Sequence, residues 1–443
     1  MKYIYWELKR AFRSKATLFS VVLYAVFILM SSLYGHNYLV KQQKIIDQLS
    51  EISVKNDQLY FTKRFGEQNH IGRALYYLSN YVVHEPLAVS ALSIGVRDLH
   101  SYHQVIRMRS LYTYLFDSGL NNPEMSSNGH FDLAFVIIFL LPLLLICSSY
   151  DVLSSDKESG MFRFLKNAGG SLRRVALTRL GVRLLLFVLV TSILYCCVFY
   201  GLSLSLNSFW SWYWVSLCYM SFWFGVIALV ISLEWSTSKN TATLLVVWSL
   251  FNLVFPSLLN IIISQNHTKS GSMVMIKARQ VVNNGWDIEK EVTAAEAKKH
   301  FPLYRDSVIA EENFNWTWYY AMQDVGDHSA DGVLKQYFES LEHLYNKTAQ
   351  WSLFIPSVQL QMIFNRLSGT DQKNHIHYYQ EILAAKNRMR QKFLPRVIAG
   401  EKMSKKELLE LPESLKVETY TPSQSLNGMN RLSFTLILSL IHI

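Results

Sequence analysis

The chain has 443 residues, half of them hydrophobic and only 17% charged, against about 25% charged residues in soluble domains. Its 43 Lys and Arg against 33 Asp and Glu give a formal net charge of +10, yet 14% aromatic residues and a mean hydropathy of +0.12 direct those cations to a bilayer rather than to nucleic acid. Composition therefore excludes an ordinary soluble enzyme. The four cysteines, Cys147, Cys196, Cys197 and Cys218, all lie inside apolar runs, so no disulfide framework is expected.

In chain order, residues 1–16 set Ile4, Tyr5, Leu8, Ala11 and Phe12 at helical spacing, with Lys2, Lys9, Arg10 and Arg13 around the rest of the turn. This pattern predicts an amphipathic interfacial helix. Residues 17–35 form a first span, too long for the apolar core of a signal peptide and followed by no small-residue cleavage pattern. Residues 36–130 are a first polar domain. Ile45, Leu49, Ile52 and Leu59 recur there at helical intervals, so span one is expected to continue outward as a helix. His84-Glu85 lacks the second histidine of a zinc-protease helix. Residues 131–150 are a second span, and Asp132 at its head reads as a helix start. Spans three to five fill 184–263, and the uncharged link 205–208 stands beside Trp210, Trp212 and Trp214, which suit an interfacial aromatic belt.

Residues 264–431 form a second polar domain with helical patterns over 332–346, 358–367, 371–393 and 404–410, punctuated by Pro356 and Gly369. His375 and His377 stand two apart, a spacing that turns the rings to different helix faces and argues against a shared metal. Sequons at Asn266, Asn315 and Asn346 carry little weight. A last apolar run starts at Leu432 and stops at Ile443, about 18 Å of helix against a hydrocarbon core of about 30 Å. Its end, Leu438-Ser-Leu-Ile-His-Ile443, resembles the translation of a common sequencing-library adapter, so a truncated reading frame is expected, with 432–443 the start of span six.

Lys2, Lys9, Arg10, Arg13 and Lys15 precede span one, and Lys157, Arg163, Lys166, Arg173, Arg174, Arg179 and Arg183 separate spans two and three. The positive-inside rule then places the N-terminus and the 151–183 loop in the cytoplasm and both polar domains on the opposite face. In that loop, Ser155-x-x-Glu158 fits a capping box. Asp156 suits a helix N-terminus, Arg163 and Lys166 suit its C-terminal end, and Gly169-Gly170 stops it. Such a helix either docks a partner or lies on the headgroups; its residues alone leave both open. The chain contains no Gly-x-x-x-x-Gly-Lys-Ser/Thr phosphate loop, no nucleic-acid module and no convincing catalytic or metal constellation. It is expected not to be an enzyme, to hold no cofactor and to bind no nucleic acid.

The run Phe131-Asp132-Leu133-Ala134-Phe135-Val136, then Leu141-Pro142-Leu143, Tyr150-Asp151 and Ser155-Asp156-Lys157-Glu158-Ser159-Gly160, resembles the second span and following loop of ABC transporter type-2 permeases. The likeness is to the branch with large insertions between spans one and two and between five and six. Pro356-Ser-Val-Gln-Leu-Gln361, Leu367-Ser-Gly-Thr-Asp371 and His375 resemble its second insertion. Asp156 stands where that branch has Glu, and Met161 where it has Thr.

The resemblance implies an all-α polytopic fold of six spans with two mainly helical extracytoplasmic domains. It also implies a bacterial inner-membrane location, a second permease subunit, identical or related, and a separate cytoplasmic ATPase that holds the ATP and magnesium. The helix 155–168 becomes a coupling helix, with Ser155, Asp156, Lys157, Glu158, Ser159, Gly160, Phe162, Arg163 and Phe164 as its contact residues. Asn252, Pro256 and Asn260 of span five become candidates for the path, with interhelical packing of the amides as the competing role. A membrane-anchored sensor or scaffold without transport is the alternative function.

Overall fold

The computed structural model describes residues 2–116, 130–161, 172–264, 270–309 and 313–424. Apolar runs too long for any soluble helix face become five helices able to cross a membrane by length and composition: Lys15–Arg64, Leu133–Glu158, Arg174–Gly201, Leu206–Ser232 and Thr237–Ser264. The five expected spans are thus all helical. A possible sixth, at 432–443, lies outside the described residues.

Helix α1 (Lys2–Arg13) ends at Ser14, whose hydroxyl caps α2 (Lys15–Arg64) by accepting from the Thr17 amide. As expected, α2 does not stop at the bilayer: its 50 residues rise about 75 Å at 1.5 Å per residue. Span two is built from α4 (Leu133–Phe135), a π-helical turn (Val136–Leu140) and α5 (Leu141–Ser149), and then a short turn and α6 (Ser154–Glu158). Asp132 caps its start by accepting from the Phe135 amide at 2.8 Å, and also accepts from the Ile94 amide at 2.9 Å. The predicted helix start is therefore also a tie to the first polar segment. Span three is α7 (Leu172–Gly201) and span four α8 (Leu206–Ser232). Span five joins α9 (Thr237–Ser249), a second π turn (Leu250–Val254) and α10 (Phe255–Ser264).

Where lipid replaces water, hydroxyls join the helices in place of a hydrophobic driving force. Tyr24 bonds Thr191 at 2.9 Å between spans one and three, Tyr195 bonds Ser216 at 2.8 Å between three and four, and Tyr219 donates to the Ile138 carbonyl at 3.0 Å between four and two. Of the three tryptophans assigned to an aromatic belt, Trp210 and Trp214 are 51% and 55% exposed, but Trp212 is fully buried. Its ring stacks on Phe364 at 4.1 Å, which corrects the expectation: three residues spaced by two on a helix do not share a face.

The two polar segments interlock in one body. The first supplies α3 (Ile71–Tyr77) and strands β1 (Gln68–His70), β2 (Asn80–His84) and β3 (His103–Ile106). The second supplies α11 (Gly271–Asn284), α12 (Lys290–His300), α13 (Trp316–Trp351), α14 (Pro356–Ser368), α15 (Gln372–Ile398), β4 (Lys402–Ser404), α16 (Lys405–Glu410) and β5 (Glu418–Tyr420). Strand β1 pairs antiparallel with β4, and β2 lies between antiparallel β3 and parallel β5.

One core holds Phe61, Phe65 and Leu75 from the first segment with Tyr304, Trp318, Tyr320 and Phe393 from the second. Buried Lys386 donates to the carbonyls of Arg107, Met108 and Arg109, each at 2.6 Å, and burial pulls its ammonium down to about 8 against the opposing pull of Asp327. Gly369 stops α14 at φ 67°, as its position past the last periodic residue predicts. Helices α11 and α12, the full 36-residue length of α13 and all five strands go beyond the sequence expectation.

Candidate functional site

The turn after span two carries the most connected polar cluster near the membrane ends. Ser155 lies inside α6 and does not cap it; the residue before the helix is Leu153, which offers no side-chain cap. Glu158 does not reach back to its own helix. Its Oε1 accepts from the Thr237 amide at 2.9 Å, so it serves the N-terminus of α9 in span five. The expected capping box is therefore replaced by a tie between spans. Two further bonds reinforce it: Thr237 Oγ1 donates to Ser154 Oγ at 2.8 Å, and Lys157 Nζ donates to the Glu234 carbonyl at 2.7 Å.

Asp156 faces the other way and is buried. Its Oδ1 accepts from Arg10 of α1 at 2.9 Å, and its Oδ2 accepts from Arg179 of α7. Arg179 also donates to Glu7 at 3.3 Å and to the Val152 carbonyl at 2.8 Å. Two guanidinium groups and two carboxylates thus form a neutral quartet. Asp156, Glu7 and Arg179 are removed from water and depend on one another to offset their desolvation, while Arg10 stays half-exposed.

Ser159 ends α6, and its hydroxyl donates to the Asp156 carbonyl at 3.2 Å. Gly160 follows at φ 78°, a left-handed conformation that costs any other residue about 1 kcal/mol or more. The unbroken helix expected from 155 to 168 is therefore interrupted at Gly160. Phe162, Arg163 and Phe164 lie outside the described residues.

The span-five candidates separate. Asn252 sits buried in the π turn, where its Nδ2 donates to the Trp248 carbonyl at 3.1 Å and its Oδ1 lies 3.4 Å from the Tyr219 hydroxyl. Its amide thus links span five to span four. Pro256 follows the π turn directly; it lacks an amide hydrogen and its ring crowds the carbonyl four residues back, both of which the wider turn accommodates. Asn260, two turns beyond Asn252, is exposed.

Each π turn gives a carbonyl to a side chain from another element. Trp248 Nε1 donates to the Phe139 carbonyl at 3.2 Å, and the Ser357 hydroxyl of α14 donates to the Phe251 carbonyl at 2.6 Å. Helix α14 packs Leu360, Ile363, Phe364 and Leu367 into the span core beside them. Sequence reasoning missed Glu7, Thr237, Ser357 and the pairing of Trp212 with Phe364. Only Arg179 and Arg183, one helical turn apart beside an isolated Glu7 and Asp156, carried a local signal for the buried quartet.

In the polar body, His375 is buried and His377 exposed, as their spacing predicts. His375 stacks on His100 at 3.7 Å, and His84 lies against Tyr378. No cluster of three or more metal-ligating side chains occurs among the described residues.

These features describe a mostly helical, membrane-like protein with five helices long and apolar enough to cross a membrane and a mixed polar body packed on them. Residues 272–414, from α11 to the turn after α16, match the family described as "Domain of unknown function (DUF3526)". No curated protein and no solved structure matches the chain.

Proposed function

We propose that this chain is the permease subunit of an ATP-driven ABC machine of the type-2 class, set in a bacterial inner membrane with its N-terminus cytoplasmic. It works with a second permease subunit and a separate cytoplasmic ATPase. The resemblance over 131–160 and 356–375 supports this reading, and the DUF3526 match covers the second of those stretches. The observation that carries it is the wiring of one turn. Residues 154–158 are bonded to α1 and α7 through Asp156 and to α9 through Ser154 and Glu158. A displacement applied there reaches spans one, three and five as well as span two, whose far end is tied to the polar body by Asp132.

Span five buries only 17% of its most apolar stretch and leaves Leu253, Leu258 and Ile262 exposed, a face suited to lipid or to the second subunit. Whether the displacement exports a substrate or transmits force to an outer partner is a choice within the same architecture. The sensor reading lacks a comparable observation.

The test is Gly160→Pro, which imposes φ near −65° where 78° is required, together with Glu158→Lys. Both are expected to insert normally and to lose capture and stimulation of the cognate ATPase, whereas Glu158→Gln, which keeps an acceptor for Thr237, retains them. Unchanged capture and stimulation in both disruptive variants overturns the coupling role.

A further inference from the structure

Between α1, the start of α2, the turn after α5 and the first turns of α7 lies a cavity of about 250 Å³, lined by Arg10, Arg13, Arg179 and Arg183 with Glu7 and Asp151. Its cations are unequally satisfied. Arg179 is saturated by Asp156, Glu7 and the Val152 carbonyl, and Arg10 is held by Asp156. Arg183 is nearly buried, with its side chain 11% exposed, and among the described residues its guanidinium makes a single long contact, 3.4 Å to Asp151. Arg13 has no hydrogen-bond or ion-pair partner among the described residues. The cavity therefore holds two guanidinium groups with donors to spare, Arg13 at its exposed rim and Arg183 nearly buried, where an unsatisfied charge is costly.

Its depth is set by its surroundings. Tyr5, Trp6 and Phe12 of α1 project outward, as interfacial aromatics do, and the apolar runs of spans one and three begin within a few residues of Ser14 and Arg183. The capped N-terminus of α2 borders the same cavity and adds its positive dipole end. A guanidinium fork fits phosphate oxygens bidentately, and the volume is below that of a drug-sized site, matching a headgroup rather than a whole metabolite.

We propose that this cavity binds the phosphate of an anionic phospholipid headgroup, which neutralises Arg13 and Arg183 and fastens α1 to the ends of spans two and three. The inference needs only that the chain is membrane-embedded, so it stands or falls apart from the coupling reading.

The full-length chain, reconstituted in nanodiscs of phosphatidylcholine with an equal share of phosphatidylglycerol, is extracted and its retained lipids are counted by native mass spectrometry. Wild type is expected to keep phosphatidylglycerol at least fivefold over phosphatidylcholine. Arg13→Glu, at the exposed rim, is expected to cut that preference about threefold, and Arg13→Glu with Arg183→Gln to abolish it. If the double variant does not melt cooperatively, the rim variant decides. Equal retention of both lipids by wild type, or a preference untouched in Arg13→Glu, overturns the proposal. A further arm adds inorganic phosphate to phosphatidylcholine nanodiscs: if phosphate raises the melting temperature as much as phosphatidylglycerol does, the site takes a free anion and the lipid assignment falls.

Discussion

Asp156 shows how one carboxylate can hold an element in place. Its oxygens accept from Arg10 and Arg179, whose side chains are 46% and 7% exposed, so the two partners respond differently to its loss. Arg10 can turn to water, whereas Arg179 stays buried beside only Glu7 and a carbonyl. Asp156→Ala is therefore expected to destabilise the protein by about 3 kcal/mol, the penalty of stranding a buried charge, and Arg10→Ala by less than about 1 kcal/mol. Chemical denaturation in detergent measures both. Equal small losses would show that Arg179 rehydrates and that the quartet is not sealed.

Helix α14 is the element that joins the membrane helices to the polar body. Its Phe364 is fully buried against Trp212 of span four, its Ser357 reaches the π turn of span five, and its Leu360 and Ile363 join the core of the spans. At its far end, the Ser368 carbonyl accepts from Ser90 at 2.7 Å, and Thr370 donates to the Ser93 carbonyl at 3.0 Å, both in the first polar segment. Phe364→Ala is expected to cost about 3 kcal/mol through the cavity it leaves. Combined with Trp212→Ala, the two losses should fall short of additivity by at least about 0.5 kcal/mol, because each removes the same stacked contact. Strict additivity in a double-mutant cycle would place the two rings in separate packing units.

At the scale of the whole molecule, the polar body carries a pH dependence set by buried imidazoles. Burial pushes His84 down to about 3 and His100 to about 4, and holds His375 well below its ordinary value, with the nearby Arg97 guanidinium acting in the same direction on His84 and His375. The unfolded chain therefore takes up protons near pH 6.5 that the folded body refuses, and stability falls as pH drops from about 6.5 towards 4. His100 alone accounts for up to roughly 3 kcal/mol of this loss. Asp57 acts oppositely: burial pushes it up to about 6, so its folded form keeps a proton and gains stability as pH falls. Burial raises Asp327 as well and lowers His70 and His103, so five imidazoles oppose two carboxyls and outweigh them. The melting temperature is expected to fall between pH 7 and about pH 5, with a shallower slope in His100→Phe; a rise on acidification would contradict this balance.

What the sequence by itself determined is what nearest neighbours decide. Apolar runs of about 20 residues dictate crossing helices because lipid demands internal satisfaction of every backbone group, and Asp132, Pro356 and Gly369 punctuate helices through bonds and dihedrals within a few residues. The outward continuation of span one was legible for the same reason, in the helical recurrence from Ile45 to Leu59. The tertiary structure decided everything that depends on a distant partner. Ser155 and Glu158 have capping-box spacing, yet Glu158 is taken by an amide 79 residues away, because a helix N-terminus from another span is brought to it. Trp212 is turned from the belt to the core by Phe364, 152 positions on. Strands β1, β4 and β5 have three residues each, too few for an alternation to register, and exist only because the two polar segments meet edge to edge. The arginine-lined cavity belongs to the same group: its cations are legible as a positive flank, but only the docking of α1 onto α7 through Ala11, Val182 and Leu186 closes them around a space.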